Sequence, residues 1–385
     1  MNNLTLSTRI RPLTGLPLIF LWATALSAQS PILTNAPLTL LTKVMQIRRL
    51  TLHEAAAARP VEVKGVITYY DHGVMLFVQD ETGGIYIWPS QTANSKSRNL
   101  EIQVGNLVEV KGVTMASGDN PIIAEPELKV LGKGPMPEGK NVSIAHLATG
   151  HEDGQWVAIE GIVRSVVSAN SVLSLAFADG ANRVTAMTPS PGGSNTLPYL
   201  DSKVRLCGVC CVALDERKQR VGINLLLSDL SQIQVEEPGP AEASLAVQPI
   251  RSLMVADPRI ASGHRVRARG AVTLRRDEKT IFIQDSTGGL CVHLEREFKA
   301  GMGDQVEIVG FPSHEEAKLV LEDATATLVA HGAPPIPVAA TIGQIQTGQF
   351  DASLVKLQGR VLEQEGDSPD LMLSSQLCGV AQQFF

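Results

Sequence analysis

A single spacing limits the fold of this chain more than any other feature. Gly65 and Gly270 stand 205 positions apart, and Gly83 and Gly288 are also 205 apart. Gly65 to Gly161 is 96 positions, and Gly112 to Gly208 is again 96. A fixed offset at two points of the same segment marks internal repetition. Around these glycines the sequence alternates apolar and polar: Val61-Glu62-Val63-Lys64-Gly65-Val66, Val157-Ala158-Ile159-Glu160-Gly161-Ile162, Val266-Arg267-Ala268-Arg269-Gly270-Ala271-Val272 and Val355-Lys356-Leu357-Gln358-Gly359-Arg360-Val361. Period two is the pattern of a half-buried strand, and the glycine marks a bend or bulge in it.

Two further elements follow the strand. Leu76-Phe77-Val78-Gln79-Asp80-Glu81-Thr82-Gly83-Gly84-Ile85 matches Ile281-Phe282-Ile283-Gln284-Asp285-Ser286-Thr287-Gly288-Gly289-Leu290, with a reduced version at Phe177-Ala178-Asp179-Gly180. An aspartate that accepts from following amides, ahead of glycine, makes a hairpin. The closing element, Gly105 to Gly112, matches Asp201 to Gly208 and Gly303 to Gly310. Trp88 to Gly105 takes 17 positions where His293 to Gly303 takes 10, so the length change falls in a connection. An apolar pair three apart precedes each unit, at Ile47/Leu50, Ile144/Leu147, Ile250/Leu253 and Ile342/Ile345, as a short capping helix would require. Gly134-Pro135-Met136-Pro137, Pro238-Gly239-Pro240 and Pro334-Pro335-Ile336-Pro337 separate the units, and proline-rich joints are stiff spacers.

A bent first strand, a D-x-T-G hairpin, a long loop and a G-[DN]-x-V-x-[IV]-x-G strand resemble an OB-fold, a small five-stranded Greek-key barrel. The expected fold is therefore all-β: tandem OB-fold-like five-stranded barrels joined by Pro-rich linkers, with short preface helices. The expected boundaries are 29–58 for an N-terminal segment with a short helix, then 59–133, 142–235 and 248–331 for three units, and 341–385 for a partial fourth. That last unit opens at Val355 and has no closing strand before Phe385, so the chain is expected to be a fragment of a longer protein.

Residues 1–28 read as a targeting segment: Arg9 and Arg11 lead an apolar run from Leu13 to Ala28. As a helix the run would rise about 24 Å, short of the roughly 30 Å hydrocarbon core. A cleaved signal peptide is the expectation. Leu26 departs from the small residue usual before a cleavage site, which keeps an uncleaved anchor open. Cleavage removes two of 33 bases, taking the formal charge from −6 to −8. An acidic exported chain is a poor general binder of polyanions. Cys207, Cys210 and Cys211 form C-x-x-C-C without nearby histidine, so zinc is not indicated, and small strand residues or a disulfide both remain open.

Val44-Met45-Gln46-Ile47, Glu54-Ala55-Ala56, Pro60 to Asp71 and Leu76 to Tyr86 are similar to exported OB-like modules at the N-termini of bacterial membrane-bound sensor histidine kinases. The resemblance spans 40–133 and recurs over 247–331. It implies a two-component signal-transduction protein with a periplasmic sensory region. Attachment would come through a C-terminal membrane segment or the uncleaved N-terminal helix, and the partner would be a small ligand or an envelope protein. The residues themselves show no Walker A loop, no G-x-S-x-G and no G-x-G-x-x-G, and no cofactor is expected. Tyr69, Tyr70, Tyr86 and Trp88 are the candidate ligand-binding residues of the first unit. They fit a stacking platform for a glycan, a small ligand or single-stranded nucleic acid, or else packing inside or between units. Arg265, Arg267 and Arg269 share one strand face, expected to be solvated.

Overall fold

The computed structural model describes residues 39–71, 74–88, 102–118, 120–179, 182–190, 199–214, 217, 219–254, 263–315, 318–358, 360–365, 372–377 and 380–384. The expected targeting segment, residues 1–28, lies outside the described residues, as do the connection after Trp88 and Cys378. Among the described residues no helix is long and apolar enough to cross a membrane.

The first unit opens with two short helices, α1 (Val44–Arg48) and α2 (Leu52–Ala55). Strands β1 (Pro60–Asp71), β2 (Met75–Asp80), β3 (Gly83–Ile87), β4 (Asn106–Ser117) and β5 (Asn120–Lys133) then close a barrel in the order β1-β2-β3-β5-β4. β1 is shared between two neighbours: Pro60–Val66 pairs with β4, and Val66–Asp71 pairs with β2. Gly65 sits at the transfer point, where a Cβ would lie 2.6 Å from the Gln79 carbonyl oxygen. Two neighbouring strands meet there too closely for any side chain, and the same holds at Gly270, whose Cβ would lie 2.9 Å from the Gln284 carbonyl oxygen; at Gly161 the nearest atoms are side chains, Phe177 at 3.2 Å.

Three residues later β1 bulges at Thr68, between Ile67 and Tyr69. A bulge reverses the in-out phase of everything after it. Val61, Val63 and Ile67 face the core, Tyr70 packs against that same core, and Tyr69 turns outward. The same interruption recurs at Arg164 in the second unit and Thr273 in the third.

The second unit runs β6 (Lys140–Asn141), α3 (Ile144–Ala148), β7 (Trp156–Ala169), β8 (Val172–Asp179), β9 (Asn182–Pro189), β10 (Lys203–Leu214), β11 (Arg220–Leu226) and β12 (Ile233–Glu237). The third runs β13 (Val247–Gln248), α4 (Ile250–Met254), β14 (Val266–Arg275), β15 (Thr280–Gln284), β16 (Gly289–Leu294), β17 (Gln305–Glu315) and β18 (Lys318–Ala330). Both repeat the first ladder, with β7–β10 and β14–β17 pairings closing the circuit and β9–β11 and β16–β18 as the parallel contact. The fourth contributes β19 (Val338–Ala339), α5 (Ile342–Gln346), β20 (Val355–Lys356) and an antiparallel meander of β21 (Arg360–Glu365), β22 (Met372–Leu377) and β23 (Val380–Phe384).

Each of the three barrels has its own apolar core. The preface pairs Ile144/Leu147 and Ile250/Leu253 are buried as expected. In the first unit the buried pair is Val44/Ile47, one turn earlier than the expected Ile47/Leu50. That unit carries the extra helix α2, which lengthens its path to β1.

Candidate functional site

The hairpin shared by units one and three does two jobs. Asp80 Oδ1 accepts from the amides of Thr82 (2.7 Å) and Gly83 (3.0 Å), forming the turn. Its other oxygen accepts from Val44 N at 2.9 Å, and Thr82 Oγ1 accepts from Met45 N at 3.0 Å, so the turn also caps α1. Asp285 and Thr287 do the same for Ile250 N (2.9 Å) and Arg251 N (3.0 Å). Burial would raise the Asp285 carboxyl, but the Thr287 hydroxyl and the amides of Ile250, Thr287 and Gly288 hold it below the ordinary range.

The neighbouring glutamine reaches the following unit. Gln79 Oε1 accepts from Trp156 N at 2.8 Å, and Gln284 Oε1 accepts from Leu354 N at 2.7 Å. Trp156 and Leu354 each stand five residues before their unit's strand glycine. Two residues earlier the strap takes positive φ in every unit, at Ala58 (50°), Gly154 (77°), Gly263 (77°) and Ala352 (54°). At the two glutamine joints this bend lies on a hairpin glycine: a Cβ on Gly84 would meet the Gly154 oxygen at 2.0 Å, and one on Gly289 the Ala352 oxygen at 2.1 Å. The units are therefore docked on one another and are not loose beads on spacers.

The first joint is also apolar. Tyr69, Phe77, Trp156, Val209 and Leu226 form a buried cluster, with Met75, Tyr86, Cys207 and Cys211 packed against it. Arg48 Nη1 donates to the Asp153 carbonyl (2.6 Å) and the Gly84 carbonyl (3.0 Å). Burial lowers the Arg48 pKa and raises that of Asp153, whose carboxylate accepts from Val212 N and Asn120 Nδ2 at 2.8 Å each.

This arrangement divides the four aromatic candidates. Tyr70 packs against the barrel core, and Tyr69, 7% exposed, lies in the joint with its pKa pushed up to about 12 by burial. Tyr69 is therefore covered by the joint while Tyr70 is half-buried, and the Thr68 bulge decides which of these two alternating neighbours faces the core. Tyr86 and Trp88 stay together, ring centroids 6.3 Å apart and edge to face, with Trp88 47% exposed. Phe77 backs Tyr86 at 5.2 Å. An aromatic edge of this kind stacks flat apolar faces, of sugars or bases alike.

The second joint is ionic. Arg164 Nη1 lies 3.2 Å from Glu322 and 3.9 Å from Asp323, and its guanidinium sits 5.2 Å from the Phe311 ring centre. Arg183 reaches the same two carboxylates at 3.3 and 3.1 Å. Asp201, fully buried, accepts from Arg265 N (3.1 Å) and Arg265 Nε (3.3 Å), and its Oδ1 is 3.0 Å from His264 Nδ1. The arginine stripe is not simply solvated: Arg265 belongs to this joint, while Arg267 and Arg269 both hold Glu307 at 2.9 Å.

Cys207, Cys210, Cys211 and Cys291 are free thiols. Strand alternation puts Cys210 in the barrel core and its neighbours toward the joint, which separates them. Burial raises the Cys210 pKa strongly and pushes Cys211 up to about 12 and Cys291 up to about 11, so these thiols stay protonated. Among the described residues no group of three or more His, Cys, Asp or Glu is placed to hold a metal.

No family model matches the chain, and no curated protein matches it. Solved structures with similarity include an OBody bound to hen egg-white lysozyme, 15% identical over 26% of this chain and 98% of that one, with TM-score 0.20. A murine DNA-binding protein bound to double-stranded DNA is 12% identical over 48% of this chain and 97% of that one, TM-score 0.25. An aspartyl-tRNA synthetase from Entamoeba histolytica is 8% identical over 48% of this chain and 54% of that one, TM-score 0.22.

Proposed function

We propose that this chain is the exported, ligand-binding ectodomain of a bacterial membrane-bound signalling protein of the sensor histidine kinase type, binding rather than catalysing on the periplasmic side. The observation that carries this reading is the placement of the Tyr86–Trp88 edge. Tyr86 packs on the buried joint with barrel 2, while Trp88 is 47% exposed. Contact at Trp88 therefore bears on side chains that set how two barrels meet. The ligand class that suits an aromatic edge on an acidic chain is a glycan or a small apolar-faced molecule.

The test uses the exported chain on an immobilised glycan panel and on single-stranded DNA. Saturable glycan or small-ligand binding, lost in Trp88→Ala with unfolding unchanged, is the expected result. Retention on DNA lost in the same variant would instead favour a free secreted OB-fold protein that binds single-stranded nucleic acid. Cytoplasmic localisation of a reporter fused to the native N-terminus would overturn the export part of the reading.

A further inference from the structure

Unit two departs from the repeat at two positions that serve the same joint. At the first-strand bulge, units one and three place Thr68 and Thr273, whose hydroxyls donate to the Phe77 and Phe282 carbonyls of the next strand in the same barrel, at 3.4 and 3.2 Å. Unit two places Arg164 there, with a side chain only 8% exposed that reaches barrel 3. Ahead of the fourth strand, units one and three place Gly105 (φ 84°) and Gly303 (φ 93°). Unit two keeps the left-handed backbone at Asp201 (φ 64°) with a side chain that the position does not favour, and spends its carboxylate on barrel 3. Strained backbone and bulges gather where a protein aims side chains at a site.

Beside Arg164, and bordered by Leu200 next to Asp201, lies a cavity of about 210 Å³ whose charged and aromatic lining is Arg164 from barrel 2 and Arg265, Glu295, Arg296, Phe311 and Asp323 from barrel 3. We propose that this cavity is a binding site for a small zwitterion of the α-amino-acid class. The lining carries both signs of charge beside an aromatic ring. A lone anion would meet Glu295 and Asp323, a lone cation would meet three arginines, and an apolar guest would strip water from the loosely held Arg296–Glu295 pair. A molecule holding a carboxylate and an ammonium on one carbon satisfies both. Arg164 and Arg265 are already held by protein carboxylates, whereas Arg296, 88% exposed, stands 3.9 Å from Glu295. That loose pair is where the two ends of the guest exchange with the protein. The volume is below the roughly 300–1,000 Å³ of pockets for drug-sized ligands, which limits the guest to amino-acid size. Because the walls come from both barrels, occupancy also ties them together.

This site is separate from the Tyr86–Trp88 edge, so the two proposals fail independently. The experiment is calorimetric titration of the whole chain with each common L-amino acid, with propionate and propylammonium as single-charge controls. The expected result is saturable binding of one or a few amino acids and of neither control. Arg296→Ala and Glu295→Gln should each weaken binding about tenfold, the loss that goes with one hydrogen bond to a charged group. Arg296 is solvent-exposed, so its replacement leaves folding intact, and Trp88→Ala should leave this affinity unchanged. Absence of saturable heat with every amino acid overturns the proposal. So does equal binding of propionate, or an affinity that Arg296→Ala does not alter.

Discussion

Replacing Gln79 by alanine isolates one of the bonds that dock barrel 2 on barrel 1. Its Oε1 accepts from the Trp156 amide at 2.8 Å, and Trp156 is only 5% exposed. Alanine removes the acceptor and leaves that amide where water does not readily replace it. An unsatisfied buried donor costs about 1–3 kcal/mol. A cost of that size raises the population of the opened joint by about 5- to 150-fold. Amide hydrogen exchange reads this directly. The Trp156 N–H should exchange faster by that factor in Gln79→Ala, with the core amides of barrel 1 unchanged. Gln284→Ala should do the same at Leu354, whose amide Gln284 accepts at 2.7 Å, and leave Trp156 alone. Unchanged exchange at Trp156 in Gln79→Ala, or equal acceleration across all of barrel 1, would refute the docking role.

Gly84→Ala should break the first joint outright, because its Cβ would stand 2.0 Å from the Gly154 oxygen; faster limited proteolysis between residues 134 and 142 is the readout. Asp201→Asn removes a buried charge from Arg265 and should destabilise the second joint by about 3–5 kcal/mol, the cost of stranding one partner of a buried pair, measured by urea unfolding. Glu152 supplies a pH dependence. Burial would raise its carboxyl, but Lys140 Nζ at 2.5 Å and His146 Nε2 at 2.8 Å hold it below the ordinary carboxylate range. With the folded pKa below the unfolded one, the unfolded chain takes up more protons in acid. The stabilisation is complete above the unfolded value of about 4.3 and is lost as pH falls through the folded one. Urea midpoints should therefore drop on acidification, and less so in Glu152→Gln.

The barrels were legible because their determinants are local and repeated. Alternation, the glycine at Gly65, Gly161 and Gly270, and the D-x-T-G turn each act within a few residues of themselves. The aromatic site was legible only in part. Strict alternation carries no sign of a one-residue bulge, and the Thr68 bulge decides that Tyr70 packs inward while Tyr69 meets barrel 2. The joints were hidden for another reason. Gln79 and Gln284 read as hairpin residues, and their acceptors are used by amides 77 and 70 positions away. One signal was available: the glutamine occurs in units one and three, and unit two lacks the match.

That alternation has a mechanical consequence. Units one and three carry the docking hairpin, so the joints they make onto units two and four rest on a side-chain amide bond and a glycine contact. Unit two lacks the hairpin, and its joint onto unit three uses Arg164, Arg183 and Asp201 instead. Backbone contacts of the first kind are short-ranged and fixed by van der Waals radii, so they hold one geometry or separate. Ion pairs fall off more gently with distance and can share partners, as Arg183 does by holding Glu322 and Asp323 together. Any movement between barrels is therefore expected at the seam between barrels 2 and 3. Small-angle scattering should place any ligand-induced change in shape at that seam. A change that survives charge removal in Arg183→Met with Asp323→Asn, yet vanishes in Gln79→Ala, would move the pivot to the first joint and reverse this assignment.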